Sequence, residues 1–278
     1  MQSQDVSPLL IVPASAGRRY LDLRELLRYR ELLYFLTWRD IKVRYAQSLL
    51  GAAWAVLQPL LAMVIFSVFF GKLASIPSDG VPYPIFTYAA LLPWTFFSNA
   101  VVQSTNSLVG NANLITKAYF PRLIIPCAAV LSGLVDFAIA FVVLLLMMPF
   151  FGVFPTGGVL WLPVLLSFAV LTSLGMGLWL SALNVQFRDI RHIVPFLVQA
   201  WLFATPVVYP SSLLAEPWRT VYGLNPMAGV VEGFRWALVG TQSPSVALIA
   251  VSGVVTAVIL VSGLSYFRRV EHRFSDII

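Results

Sequence analysis

A single carboxylate, Asp136, stands about a dozen residues inside an apolar run that opens at Leu123. Charge at that depth is expensive, so an intramembrane carboxylate marks a functional position by default. Two roles suit it: a proton relay, or a polar contact with a neighbouring helix or a wet path. Relays are built from chains of Asp, Glu or His, and no second buried titratable partner is evident for Asp136, so the second role is preferred. Two arginines invite different chemistry. Arg39 and Arg44 close a charged segment just before a stretch, Leu49 to Phe70, that has no ionisable side chain. A guanidinium grips phosphate with two parallel N–H donors where an ammonium is only a point charge, which makes both arginines candidates for capturing a phosphate at the membrane surface. The alternative is simple anchoring to anionic headgroups, at about 1 kcal/mol per basic residue.

Aromatic residues supply a third kind of candidate. Trp54, Phe66, Phe69 and Phe70 in one apolar stretch, and Trp201 and Phe203 in another, offer flat faces to a wide path. Such faces suit the C–H surfaces of sugar rings without demanding one hydroxyl pattern, although most aromatics in such a chain are belt or lipid-facing residues. Glu232 and Arg235, three apart, are spaced to pair on one helix face.

Other chemistry is excluded. The sole Gly-Lys pair, Gly71 and Lys72, lacks the earlier glycine of a phosphate-binding loop and is followed by leucine, so this polypeptide is not expected to hydrolyse ATP. His192 and His272 have no Cys or carboxylate cluster at ligand spacing, so no metal site is expected. The loops lack the acidic cluster with which a glycosyltransferase holds a metal-bound nucleotide sugar. Cys127 is alone and cannot form an internal disulfide.

The elements that must position these residues are set by composition. Of 278 residues, 59% are hydrophobic and 11% charged, against roughly 25% charged in a soluble domain. Several uncharged runs approach the ~20 residues that cross a bilayer as helix. The expected fold is therefore all-α and integral to the membrane, with spans near 50–70, 85–102, 123–151, 160–183, 193–208 and 246–267. The fifth is short and carries Pro195 and Pro206, which is tolerable only where neighbours satisfy the freed carbonyls.

Before the first span, residues 23–45 place Leu23, Leu26, Leu27, Leu33, Tyr34, Trp38, Ile41 and Tyr45 on one side of a helical wheel, opposite Arg24, Arg28, Glu31, Arg39 and Lys42. That pattern predicts a helix lying in the interface. The organisation is thus a cytoplasmic arm and interfacial helix over 1–48 and one six-span domain over 49–278. Before the last span, short helices near 216–222 and 226–239, the second with Asn225 as N-cap and Pro226 at its first position, are expected to form a re-entrant outer hairpin.

Lys72, Arg219 and Arg235 are the only ones of the 18 basic residues that this topology puts on the outer face. Both termini are accordingly expected in the cytoplasm, and the net charge of +6 reads as positive-inside bias, not as a nucleic-acid surface.

Three ordered blocks carry a resemblance. "RDIKVRYAQSLLGAAWAVLQPLLAMVIFSVFFG", "ALNVQFRDIRHIVPFLVQAWLFATPVVYP" and "LNPMAGVVEGFRWAL" resemble the membrane subunit of bacterial polysaccharide ABC exporters, the Wzm-like permeases for O-antigen and their teichoic acid relatives. The resemblance spans roughly residues 32–267. It implies a homodimer in the inner membrane, docked to separate subunits that bind ATP and Mg, moving a lipid-linked glycan outward. It implies that the first and fifth spans line the path. It further implies that the loop 107–122, with Asn113, Leu114, Ile115, Lys117, Tyr119, Phe120 and Arg122, contacts the ATPase, and that the hairpin with Asn225, Pro226, Glu232 and Arg235 gates the outer side. Asp136 matches no motif of that family. Its presence keeps a second expectation open, a proton-coupled secondary transporter of an amphipathic solute.

Overall fold

The computed structural model describes residues 28–46, 51, 53–117 and 120–274, and every regular element among them is helical. Helix α1, Arg30–Ala46, has Glu31 in its first turn and Arg44 in its last, the signs that complement a helix dipole. Its apolar side is divided. Leu36 is buried, with Tyr29, Leu32 and Leu33 packed beside it, whereas Tyr34, Phe35, Trp38 and Val43 are exposed. The single apolar face expected from the sequence thus serves two surfaces, one against protein and one left outward where headgroups would lie. Residues 23–27 of that expected helix lie outside the described residues.

Helix α2, Ala53–Phe66, continues without a break into the π-helical turn Ser67–Leu73. The widened turn is closed by the bond from Ala74 N to Phe69 O at 2.9 Å, five residues back. Helix α3, Tyr83–Gly110, is the hub: its 28 residues pack against α2 and most later helices. It outruns the expected 85–102 because the polar stretch that ended the hydropathy signal satisfies itself. Thr105 Oγ1 donates to Val101 O at 2.7 Å, Asn106 Nδ2 to Val102 O at 2.9 Å and Ser107 Oγ to Ser104 O at 2.7 Å, so the helix runs on without losing a bond.

The short α4, Ala112–Lys117, leads to α5, Ile124–Phe150, and then, through a 3₁₀ turn, to α6, Leu162–Gln186. After α7, Ile190–Phe203, come α8, Trp218–Val221, α9, Pro226–Val239, and α10, Val246–Val270. Five helical stretches among the described residues are long and apolar enough to cross a membrane: Ala53–Leu73, Tyr83–Gly110, Ile124–Phe150, Gly157–Gln186 and Val246–Arg273. The remaining expected crossing, the fifth in chain order, is helical over only the 14 residues of α7, about 21 Å of the ~30 Å hydrocarbon depth.

Beyond α7 the chain is irregular, and its carbonyls are met by side chains. Tyr209 Oη donates to Phe203 O at 3.1 Å, Tyr222 Oη and Asn225 Nδ2 donate to Ala204 O at 2.7 and 3.0 Å, and Tyr83 Oη donates to Val208 O at 2.6 Å. Arg235 completes the set, donating to Val207 O at 2.6 Å and Tyr209 O at 3.3 Å. This is how the short, proline-bearing segment is tolerated at depth.

Helices α6 and α10 approach through glycine. A Cβ on Gly263 would fall 2.3 Å from Gly175 O, and one on Gly175 would fall 2.8 Å from Leu260 Cα. Side-chain bonds cross the same contact, Thr172 to Thr256 at 2.9 Å and Trp179 Nε1 to Ser262 Oγ at 3.2 Å. Small residues let backbones meet where lipid supplies no hydrophobic drive. Gly263→Ala should therefore lower the melting temperature of the purified protein, at an overpacking cost of about 1–3 kcal/mol. Gly253→Ala, whose Cβ would meet Phe168 only at 3.8 Å, should not; equal melting of the two variants would refute this packing.

Candidate functional site: a polar cavity beside the interfacial helix

The end of α1 delivers two polar side chains into the bundle. Arg44 donates to the Asp136 carboxylate, to Gln103 Oε1 and, at 2.9 Å, to Ser132 Oγ. Tyr45 donates to the other Asp136 oxygen. Asp136 therefore does have a titratable partner, contrary to the sequence expectation, and it comes from outside the spans. The sequence could not show it, because Arg44 and Asp136 are 92 positions apart. Burial, and then the Asp136 carboxylate it donates to, push the Tyr45 phenol above its usual value, so it stays a donor at physiological pH.

These groups form one end of a cavity of about 250 Å³ between α1, α2, α3 and α5. Its walls have two characters. Thr95, Asn99 and Gln103 recur every fourth residue on one face of α3, with Gln58 of α2 also in the lining. Trp54, Phe96 and Phe137 supply aromatic surface. The ion pair is only partly covered, with 25% of the Arg44 side chain and 19% of the Asp136 side chain exposed.

Of the residues expected from sequence, the cavity brings together Arg44, Asp136 and Trp54. Arg39 is not with them; it pairs with its neighbour Asp40 at 2.7 Å. Phe66 and Phe70 pack edge to face at 5.7 Å further along the first span, and Phe69 is exposed there. Trp201 does not stand on an open wall, because it packs edge-on against Trp94 at 6.4 Å and Phe97 at 5.4 Å. Phe203 is exposed.

In the loop 107–122, expected in the cytoplasm, Ile115 and Phe120 are buried in the chain's own core instead of facing outward, and Leu114 packs against the same cluster. Arg122 donates through its guanidinium to Glu271 O and through its backbone N–H to Glu271 Oε1 at 3.2 Å. Asn113, Thr116 and Lys117 are exposed, and Tyr119 lies outside the described residues.

In the segment before the last span, Asn225 caps α9 by accepting from Met227 N, with Pro226 next. Glu232 and Arg235 pair at 3.0 Å as their spacing implied, but deep in the core, at 4% and 1% exposure. Glu232 also accepts from Ser211 N at 3.1 Å, and Arg235 donates to Phe86 O at 3.3 Å and lies 3.7 Å over the Phe86 ring.

The model of the family described as ABC-2 type transporter matches residues 31–239. The chain belongs to that family. It is 32% identical to the O-antigen export system permease protein RfbA of Myxococcus xanthus, over 91% of this chain and 98% of that protein. It is 28% identical to the protein of the same name from Klebsiella pneumoniae, over 89% and 95%, and 25% identical to the polysialic acid transport protein KpsM of Escherichia coli, over 84% and 91%. An ABC-2 chain of this kind is a multi-pass membrane permease, not an enzyme. The matched region contains every residue that lines the cavity.

Sequence reasoning missed Tyr45, Gln58, Thr95, Asn99, Gln103 and Ser132. A signal existed: the four-residue spacing of Thr95, Asn99 and Gln103, and of Ser132 and Asp136, marks one polar stripe on each of two apolar helices. In this ABC-2 chain, Arg44→Asp or Asp136→Arg alone should destabilise the detergent-solubilised protein, by about 1–3 kcal/mol after allowance for its partial exposure. The double exchange should recover a substantial part of that loss. Strictly additive effects in the double-mutant cycle would mean that the two residues are not coupled.

Proposed function

We propose that this chain is the permease of an ATP-driven exporter that carries a lipid-linked cell-surface polysaccharide, such as O-antigen or a related glycan, across the bacterial inner membrane. The supporting observation is the overlap with an O-antigen export permease over 98% of that protein's length. In this reading two copies assemble, and each engages an ATP-binding cassette subunit that holds the ATP and Mg. The exposed side of α4, with Asn113, Thr116 and Lys117, faces that subunit, while Ile115 and Phe120 brace the loop from within. Exposed aromatic surface on the first and fifth spans, Trp54 and Phe69 on one and Phe196 and Phe203 on the other, suits a glycan path between copies.

The Arg44–Asp136 pair weakens the case for a proton-driven carrier, since both Asp136 oxygens are taken up in bonds to Arg44 and Tyr45 and no chain of further carboxylates or histidines lines the cavity. In the proposed assembly Arg44 is occupied, so any phosphate capture at the cytoplasmic surface falls to Arg39 or requires Arg44 to exchange partners. The pair at Glu232 and Arg235 acts as a clamp on the outer side from which a gate would pivot.

Deleting the gene from its host should leave lipid-linked glycan on the cytoplasmic side of the membrane, and wild-type chain should restore its surface display. Display that persists when the partner ATPase loses its phosphate-binding lysine, but stops when the proton gradient collapses, would overturn this reading. Topology is tested in parallel. In a Cys127→Ser background, Ser243→Cys should react with an impermeant maleimide from outside intact cells and Asn113→Cys should not; both positions are exposed on the protein. Outside labelling of Asn113→Cys would reverse the proposed orientation.

A further inference from the structure

Three hydrogen-bonding side chains in the cavity are unspent. Gln58, exposed at the cavity's mouth, and the half-buried Thr95 and Asn99 line it, and none of the three is in a hydrogen bond to protein among the described residues. The neighbouring polar groups are all spent: Arg44 on Asp136, Gln103 and Ser132, and Tyr45 on Asp136. Thr95 and Asn99 sit near the middle of the 28-residue α3, far from either end of that helix. At such depth an amide or hydroxyl is retained where water or a ligand completes its bonds.

The charge of the lining selects the ligand. Its one cation and one carboxylate neutralise each other, so an incoming anion finds no free guanidinium and an incoming cation no free carboxylate. What remains is neutral and two-sided: amides and a hydroxyl that both donate and accept, beside the exposed Trp54 ring and the rings of Phe96 and Phe137. An aliphatic chain would leave the amides unsatisfied. A sugar ring satisfies both halves, with hydroxyls for the amides and a C–H face for the aromatics. A space of about 250 Å³ has room for one ring and not for an extended oligosaccharide.

We infer that this cavity, within a single copy of the chain, is a binding site for one uncharged sugar unit, read by Gln58, Thr95 and Asn99. It rests on the export reading only for the origin of the sugar. The site shares Trp54 with the aromatic surface proposed for the path between copies, whereas Phe69, Phe196 and Phe203 are not among its lining residues. Its position beside Arg44 and Tyr45 places the bound ring against the end of α1.

Binding is measured without transport. The full chain in nanodiscs of phosphatidylethanolamine is titrated with methyl α-mannoside and methyl N-acetyl-glucosaminide, with saturation-transfer NMR as the readout. Wild-type protein should transfer saturation to at least one of these glycosides, and the Asn99→Leu and Thr95→Val variants should reduce the transfer at least fivefold. A milder probe guards against misfolding: in a Cys127→Ser background, the Thr95→Cys thiol should alkylate more slowly when the glycoside is present. Equal transfer in wild type and variants, no transfer in any, or an unprotected thiol would overturn the inference. So would displacement by inorganic pyrophosphate, which would make this an anion site. Loss of the sugar signal in discs containing phosphatidylglycerol would assign the cavity to the glycerol of a lipid headgroup, and would equally overturn it. A chain that binds the glycoside yet exports no glycan in cells would leave this site standing and remove the functional reading instead.

Discussion

An arginine taken out of water must bring its partners with it, and this protein meets that requirement twice, at opposite ends of the bundle. At one end Arg235 is almost wholly buried, paired with Glu232 and donating to the carbonyls of Phe86, Val207 and Tyr209. Removing either member of such a pair strands the other, at a cost of about 3–5 kcal/mol. Because the guanidinium satisfies the non-helical carbonyls of Val207 and Tyr209, α7 can stop after 14 residues and the chain beyond it still keeps its backbone bonded. The second and fifth spans and the buried α9 are thereby joined at one side chain. At the other end Arg44 does the same for α1, tying it to α3 through Gln103 and to α5 through Ser132 and Asp136.

How far this was legible in the sequence follows from the range of each interaction. Local signals were sufficient where one helix decides the matter. The third and sixth spans lie within a few residues of the expected bounds, the helix at 226–239 matches at both ends, and Asn225 and Pro226 occupy the expected cap positions. The pair at Glu232 and Arg235 was visible because three residues separate its members on one helix. Hydropathy misjudged the second span, since it cannot know that Thr105, Asn106 and Ser107 turn their polar atoms back onto their own helix.

Pairings across the fold were beyond reach. Nothing local connects Arg44 to Asp136, and so Asp136 looked unaccompanied and Arg44 looked free for phosphate. Burial direction was equally hidden for the loop after the second span. Ile115 and Phe120 look like docking residues in sequence and turn out to be core residues, because a loop of this length has to anchor itself before it can present anything.

That anchoring links two regions that sequence treats separately. Ile115 and Phe120 belong to the same apolar cluster as Leu36 of α1, together with Leu123 and Phe267. The other end of α1 supplies Arg44 and Tyr45 to the cavity. A displacement of the loop by a partner on its exposed side would therefore bear on α1 through Leu36, and α1 is a single stiff helix of 17 residues. Its far end has little freedom to yield, since Arg44 holds three partners at once. The contiguous contacts supply a route from the loop after α3 to the cavity wall, and the ion pair is the place where that route meets the spans. A displacement of α1 along that route would have to strain or break the Arg44–Asp136 pair, so the pair resists such movement from the cavity side.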